Sequence, residues 1–153
     1  MQPSNPFTPQ ERLESVKAGL VAGTAALLFG ILLLLWHRID AVGWPAALAM
    51  ITQGLGGQTF WISSAIAALS GALFGLTYRY AVRQDNNPQL KSGVVLAFGL
   101  VRGLALVDVG SALNQHFWPF LAAIGESLLL FAIVAALLDW GLSQGWLKPF
   151  ASR

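Results

Sequence analysis

The sequence contains no cysteine and few charged residues. Without cysteine the chain forms no disulfide, thiolate metal site or iron–sulfur cluster, and it has no cysteine nucleophile. Charged residues make up 10% of its 153 residues, whereas a soluble domain of this size needs roughly a quarter. Hydrophobic residues account for 56%, and no charge occurs from position 41 to position 78. This composition excludes a disordered chain, a nucleic-acid-binding module and an ordinary cytosolic enzyme, and it predicts an all-α membrane protein.

Four apolar segments predict four transmembrane helices. The first covers residues 18–36, whose length at about 1.5 Å per residue matches a hydrocarbon core of about 30 Å. The others cover about residues 60–77, 92–113 and 119–140. Together they predict a single transmembrane domain over residues 1–153, folded as a four-helix bundle.

The first helix is expected to begin in water, ahead of its apolar segment. Thr8 is suited to cap it, Pro9 to take its first position and Glu11 to complete a capping box. The N-terminal residues lack the basic segment and the cleavage site of a signal peptide.

A further apolar stretch lies between the first two spans. Residues 41–52 are too short to cross the bilayer, which favours a short interfacial helix over a re-entrant segment. Three glycines predict the turn that follows this helix: Gly54, Gly56 and Gly57.

Lysine and arginine are distributed unevenly along the chain. Two precede span one, one follows it, three lie between spans two and three, none between spans three and four, and two follow span four. Because cytoplasmic loops carry the excess of positive charge, both termini are predicted on the cytoplasmic or stromal side. The same bias explains the basic middle loop of Arg79, Arg83 and Lys91, for which binding of anionic lipid or of an acidic partner is the secondary hypothesis.

Two pairs of segments are similar to each other. Residues 16–21 (VKAGLV) and 90–95 (LKSGVV) open spans one and three with one pattern. Residues 60–74 and 117–131 share Phe-Trp, Ala, Ser and Phe at matching positions. A duplicated two-helix hairpin would explain both matches, although low-complexity membrane sequences produce such matches easily.

Small residues recur at helical spacing within the spans. Lipid removes the hydrophobic driving force between helices, so close backbone approach has to supply the packing energy. Packing among the four helices is the favoured interpretation, and dimerisation or docking onto a larger membrane complex is the alternative. The glycines concerned are Gly19, Gly23, Gly71, Gly75, Gly99 and Gly103.

Three charged residues fall inside the predicted spans, where an ionisable group is costly unless paired or hydrated. Arg102 is predicted about 15 Å from the inner face, and Glu126 about 10 Å below the outer face. In a core of about 30 Å these two are at nearly the same depth, whereas Asp108 points about 120° away from Arg102. We therefore predict a structural Arg102–Glu126 ion pair; a partner or lipid site, or a transport path, is the alternative.

Few side chains are suited to catalysis or cofactor binding. His37 and His116 are both predicted on the outer side, and two isolated histidines indicate a tetrapyrrole or metal site only weakly. The sequence has no G-x-S-x-G, no Gly-rich phosphate loop and no H-E-x-x-H. We expect no enzyme, metal or cofactor. Asp139, at the inner end of span four, is expected to anchor the helix at the interface, with pairing to Arg79 or Arg83 as the alternative.

Part of the sequence resembles a known family. The segments at residues 75–83 (GLTYRYAVR), 90–93 (LKSG) and 97–104 (AFGLVRGL) are similar to small multi-span integral membrane proteins of cyanobacteria and chloroplasts, a family with no assigned activity. The resemblance covers about residues 71–140. It implies a thylakoid or bacterial inner-membrane location and carries over no catalytic residue.

Three functional hypotheses follow from the sequence. The leading one is an accessory, assembly or structural subunit of a membrane complex. The second is a small oligomeric transporter of an ion, proton or solute that uses Arg102, Asp108 and Glu126. The third is a pigment- or haem-binding protein. The expected partners are the bilayer and either a second copy or a larger membrane complex, with no nucleic acid.

Overall fold

The computed structural model describes residues 8–83, 87–107 and 117–150. These residues contain no strand and form five helices: α1 (Pro9–Val42), α2 (Trp44–Thr52), α3 (Gly54–Val82), α4 (Pro88–Ala105) and α5 (Phe117–Ser143). Three helical segments are long and apolar enough to cross a membrane: α1, α3 and Trp118–Ser143 of α5. The all-α class and the membrane character are therefore confirmed. The 18-residue α4 is not among these three helices.

The start of α1 follows the prediction from sequence. The Thr8 hydroxyl caps the helix by accepting a hydrogen bond from the Glu11 N–H at 3.3 Å, and Pro9 occupies the first position. The Glu11 carboxylate does not complete a capping box, because it binds Arg79 of α3. The helix runs for 34 residues to Val42, so it is longer than the apolar segment that predicted it.

A short helix follows α1, as the apolar stretch predicted. Arg38 of α1 fixes it: the guanidinium donates to the Met50 carbonyl at 3.2 Å and to the Gly56 carbonyl at 2.6 Å. The same guanidinium stacks over the Phe60 ring, 5.1 Å from its centroid. A single arginine thus links the end of α1 to α2 and to the first turns of α3.

The turn predicted at three glycines lies one residue earlier, at Gln53. Gly54, Gly56 and Gly57 already belong to α3. A methyl group at Gly57 would lie 2.9 Å from the Ile51 carbonyl oxygen. Gly57 thus brings α3 close to the end of α2, while Gly54, with a φ of 59°, adopts the left-handed conformation where the chain changes direction.

Helices α1 and α3 pack antiparallel at backbone distance. Gly19 and Gly23 lie against Ala72, and Gly71 and Gly75 lie against Ala22. A methyl group built at Gly71 would lie 2.7 Å from the Ala22 carbonyl oxygen. All four of these predicted packing glycines therefore belong to one interface within the chain.

Helices α4 and α5 form a second antiparallel pair. Gly99 packs on Leu128 and Gly103 on Ile124, so the remaining two predicted glycines also lie between helices of the same chain. The two helix pairs meet at an aromatic core. The Phe74 ring of α3 lies 4.9 Å from Phe131 of α5, between ring centroids.

Candidate functional site

A partly open cavity with several polar side chains in its walls lies between the helices, near the end where α1 finishes and α5 begins. Its volume is about 110 Å³, and the four helices α1, α3, α4 and α5 all line it. Most of its walls are leucine, alanine and glycine. Five of the lining side chains are polar: His37, Ser63, Arg102, Glu126 and Ser127. Polar side chains from four separate helices thus converge on one space.

Two of these polar side chains bind each other. The His37 Nε2 atom lies 2.9 Å from the Glu126 Oε1 atom. The contact arises because α1 and α5 run antiparallel, which brings the end of one helix to the start of the other. This contact ties α1 to α5 along one wall of the cavity.

The prediction that Glu126 pairs with Arg102 is wrong. The packing of Gly103 on Ile124 does put Arg102 and Glu126 at similar levels, but the glutamate binds His37 of α1. The depth of a residue along a helix does not tell in which direction around the helix axis its side chain points. That direction determines the partner of Glu126. Arg102 has no ion pair or hydrogen bond within the part of the chain that the structure describes.

Ser127 differs from most of the hydroxyls on the described helices, which donate to a backbone carbonyl one turn earlier. Ser64, for comparison, donates to the Phe60 carbonyl at 2.8 Å, and Thr24 donates to the Leu20 carbonyl at 2.8 Å. Ser127 is 2% exposed, and among the described residues its hydroxyl has no hydrogen-bond partner. A buried polar atom without a partner costs about 1–3 kcal/mol, which marks the cavity as a place where a polar partner would be stabilised.

Below the cavity the bundle is filled by aromatic side chains. Phe74 and Phe131 are completely buried, and Phe98 of α4 packs edge-on against Phe74 with ring centroids 5.4 Å apart. Leu130 lines the floor of the cavity next to this cluster. The cavity is therefore confined to one half of the bundle.

A second polar cluster lies at the opposite end and is internally satisfied. The Arg79 side chain is 2% exposed and donates to the Glu11 carboxylate at 2.5 Å. It also donates to the Ser15 hydroxyl at 2.6 Å and to the Lys148 carbonyl at 2.9 Å. One guanidinium thus joins α1, α3 and the segment that follows α5.

Asp139 binds Lys91 and Tyr78 instead of its predicted partners. Its Oδ2 atom lies 2.9 Å from the Lys91 ammonium, and its Oδ1 atom accepts the Tyr78 hydroxyl at 3.1 Å. Of the predicted basic loop, Arg79 and Lys91 are occupied within the protein. Arg83 is exposed; it donates to the Tyr80 carbonyl at 3.3 Å, lies 5.8 Å from the centroid of the Phe150 ring and has no ion pair with a described residue.

Two predicted residues, Asp108 and His116, lie outside the described residues, as do the last residues of predicted span three. Within the described ranges, no three histidine or acidic side chains are grouped so that they could hold a metal ion. Comparison with known protein families, with curated proteins and with solved structures finds no match to this chain.

Proposed function

We propose that this protein is a four-span integral membrane protein that binds a small polar ligand in the cavity near the α1–α5 end. The observation that carries the proposal is the convergence of Arg102 and Ser127, both without described partners, on one cavity of about 110 Å³. Polar groups inside a membrane are costly, and such groups characteristically mark ligand or ion sites.

The fourth span in this proposal is α4. Its 18 residues extend about 27 Å, close to the thickness of the hydrocarbon core. It packs along α5 through Gly99 and Gly103, as a membrane helix does. The contact of Phe74 with Phe131 is what a duplicated hairpin would produce, because these residues occupy equivalent positions in the two candidate repeats.

The proposed orientation puts the Arg79 end on the cytoplasmic or stromal side. Glu11 and the Lys148 carbonyl meet at Arg79, so both ends of the described bundle lie on one side. The positive-charge bias assigns that side to the interior. The cavity then faces the outer half of a thylakoid or bacterial inner membrane, with α2 at the outer interface.

The absence of cysteine allows a direct test by single-cysteine labelling. In sealed vesicles, we expect Ser127→Cys to react with a small, water-soluble methanethiosulfonate added on the side that the cavity faces. Ser64→Cys is the matched control, because this equally buried α3 serine does not line the cavity. We expect Ser127→Cys to react at least about tenfold faster than the control, a difference of about 1.4 kcal/mol in activation free energy.

Equal labelling rates for these two variants would contradict the proposal, since they would show that Ser127 is as inaccessible to water and solutes as the bundle interior. Labelling from the opposite side alone would contradict the proposed orientation. Denatured samples of both variants should label fully, which establishes that each cysteine is present and reduced.

A second candidate function, that of an accessory subunit, is favoured by an apolar groove between α1 and α5. The groove measures about 590 Å³. In a membrane it would be filled by lipid chains or by a helix of another protein. It is lined by Leu20, Val21, Thr24, Ala25, Leu28, Phe29, Leu32 and Leu137. Purification in a mild detergent tests this candidate: a stoichiometric partner supports it, and a protein that purifies alone contradicts it.

A further inference from the structure

We infer that the cavity ligand is a small monovalent anion, held by the guanidinium of Arg102 and the hydroxyl of Ser127. This inference rests on the proposed function, because it names the chemical class of ligand for the same cavity. Chloride and planar three-oxygen anions such as nitrate or bicarbonate belong to this class.

The first argument is the charge of the lining. Glu126, the acidic residue of the cavity, is bound by His37 at 2.9 Å. Arg102 brings a permanent positive charge, and among the described residues no carboxylate forms an ion pair with it. A guanidinium without an ion-pair partner, in surroundings of low dielectric constant, attracts an anion. The cavity is therefore suited to a negative ligand rather than to a cation.

The second argument is the balance of donors and acceptors. A guanidinium presents five N–H donors and no acceptor. The buried Ser127 hydroxyl is available to donate as well, since no described group accepts from it. Ser63 lines the same cavity from α3. An anion accepts hydrogen bonds from all of these groups. A metal cation would instead require oxygen ligands, and the main one in this cavity is the Glu126 carboxylate, which His37 already binds.

The third argument is size. The cavity of about 110 Å³ has room for more than one water molecule, for which about 10–15 Å³ of such space is enough. Chloride, nitrate and bicarbonate are small enough to enter it. Gluconate, with its six-carbon chain, is much larger, and we therefore expect it to bind weakly and use it as the reference anion.

The experiment measures the thermal unfolding midpoint (Tm) of detergent-purified protein in sodium chloride, sodium nitrate or sodium gluconate at equal ionic strength. We expect chloride or nitrate to raise Tm in a saturable way, by about 4 °C at ten times the dissociation constant. Arg102→Gln should abolish the difference between the anions. Arg102→Lys should retain part of it, and Arg83→Gln, which removes an exposed arginine at the opposite end, should leave it unchanged.

Ser127→Ala provides a second variant in case Arg102→Gln fails to fold. It removes one hydrogen bond to the ligand without adding volume, and we expect the half-saturating anion concentration to rise about fivefold. Retention of wild-type anion dependence in this variant would overturn the assignment of Ser127 as a ligand.

Three results would overturn the inference. Equal Tm values in all three sodium salts would show that no small anion binds. Loss of the effect in Arg83→Gln would place binding at the other end of the bundle. A Tm that changes when sodium is replaced by potassium or choline, and not when the anion is changed, would show that a cation binds. That result would contradict the inference of an anionic ligand but not the proposed function of the cavity as a ligand site.

Discussion

Arg79 and Arg102 lie at opposite ends of the bundle, Arg79 buried and Arg102 partly buried, and they differ in their partners. Arg79 binds a carboxylate, a hydroxyl and a backbone carbonyl, so its charge is balanced and its donors are used. Arg102 lines a cavity together with a histidine and a glutamate that bind each other. The first arrangement uses the charge and donors of Arg79 within the fold, whereas the second leaves the Arg102 guanidinium without a partner among the described residues, which is why we propose it as a ligand group.

We expect Arg79→Met to lower the free energy of unfolding by about 3–5 kcal/mol, because it leaves the Glu11 carboxylate partly buried without its partner. Arg83→Met, an exposed arginine four residues later, should change it by less than about 0.5 kcal/mol. Both values are measured by thermal or denaturant unfolding in the same detergent. Similar stabilities for the two variants would contradict the structural role of Arg79.

The contact between His37 and Glu126 predicts a specific energetic coupling. In a double-mutant cycle of His37→Ala and Glu126→Ala, we expect a coupling energy of about 0.5–3 kcal/mol, the range for residues in contact. A cycle of Arg102→Ala and Glu126→Ala should give a smaller value. A larger coupling energy between Arg102 and Glu126 than between His37 and Glu126 would support the ion pair predicted from the sequence, and it would contradict the geometry of the cavity.

At the scale of the elements, two antiparallel helix pairs are built by different kinds of contact. α1 and α3 approach through glycine and alanine on both helices, so that backbone meets side-chain methyl groups. α4 offers glycines to larger side chains of α5, Leu128 and Ile124. Close approach of this kind supplies dispersion energy that lipid does not.

Gly71→Ala is expected to destabilise the α1–α3 pair. The added methyl group would lie 2.7 Å from the Ala22 carbonyl oxygen, and overpacking of this kind costs about 1–3 kcal/mol. Gly125→Ala is the matched control, because open space surrounds that position and alanine favours helix. The free energies of unfolding of both variants are measured in the same detergent. Equal values would show that α1 and α3 do not approach as closely as the structure indicates.

Local chemistry made some of these elements predictable and left others open. The start of α1 was predictable because Thr8 and Pro9 act within one helical turn. The glycines after α2 were only partly informative, since Gly54 does adopt a left-handed turn conformation whereas Gly57 permits close packing within α3. Helices α1, α3 and α5 exceed their predicted spans because hydropathy reports the apolar segment and a helix continues beyond it, whereas α4 ends at Ala105, before the predicted end of span three.

At the scale of the whole molecule, the polar groups are separated into two ends by an apolar centre. One end carries the satisfied Arg79 cluster, the centre is filled by Phe74, Phe98 and Phe131, and the other end holds the cavity. The sequence singled out Arg102 and Glu126, and both line the cavity. It could not identify His37 as the partner of Glu126, because that contact depends on how α1 and α5 face each other.

The most direct measurement is an experimental structure of the protein in a lipid nanodisc, at a resolution that shows ordered non-protein density. The account predicts density inside the cavity, within hydrogen-bonding distance of both the Arg102 guanidinium and the Ser127 hydroxyl, with His37 still bound to Glu126. An Arg102 side chain bound directly to Glu126, beside a cavity without density, would contradict it.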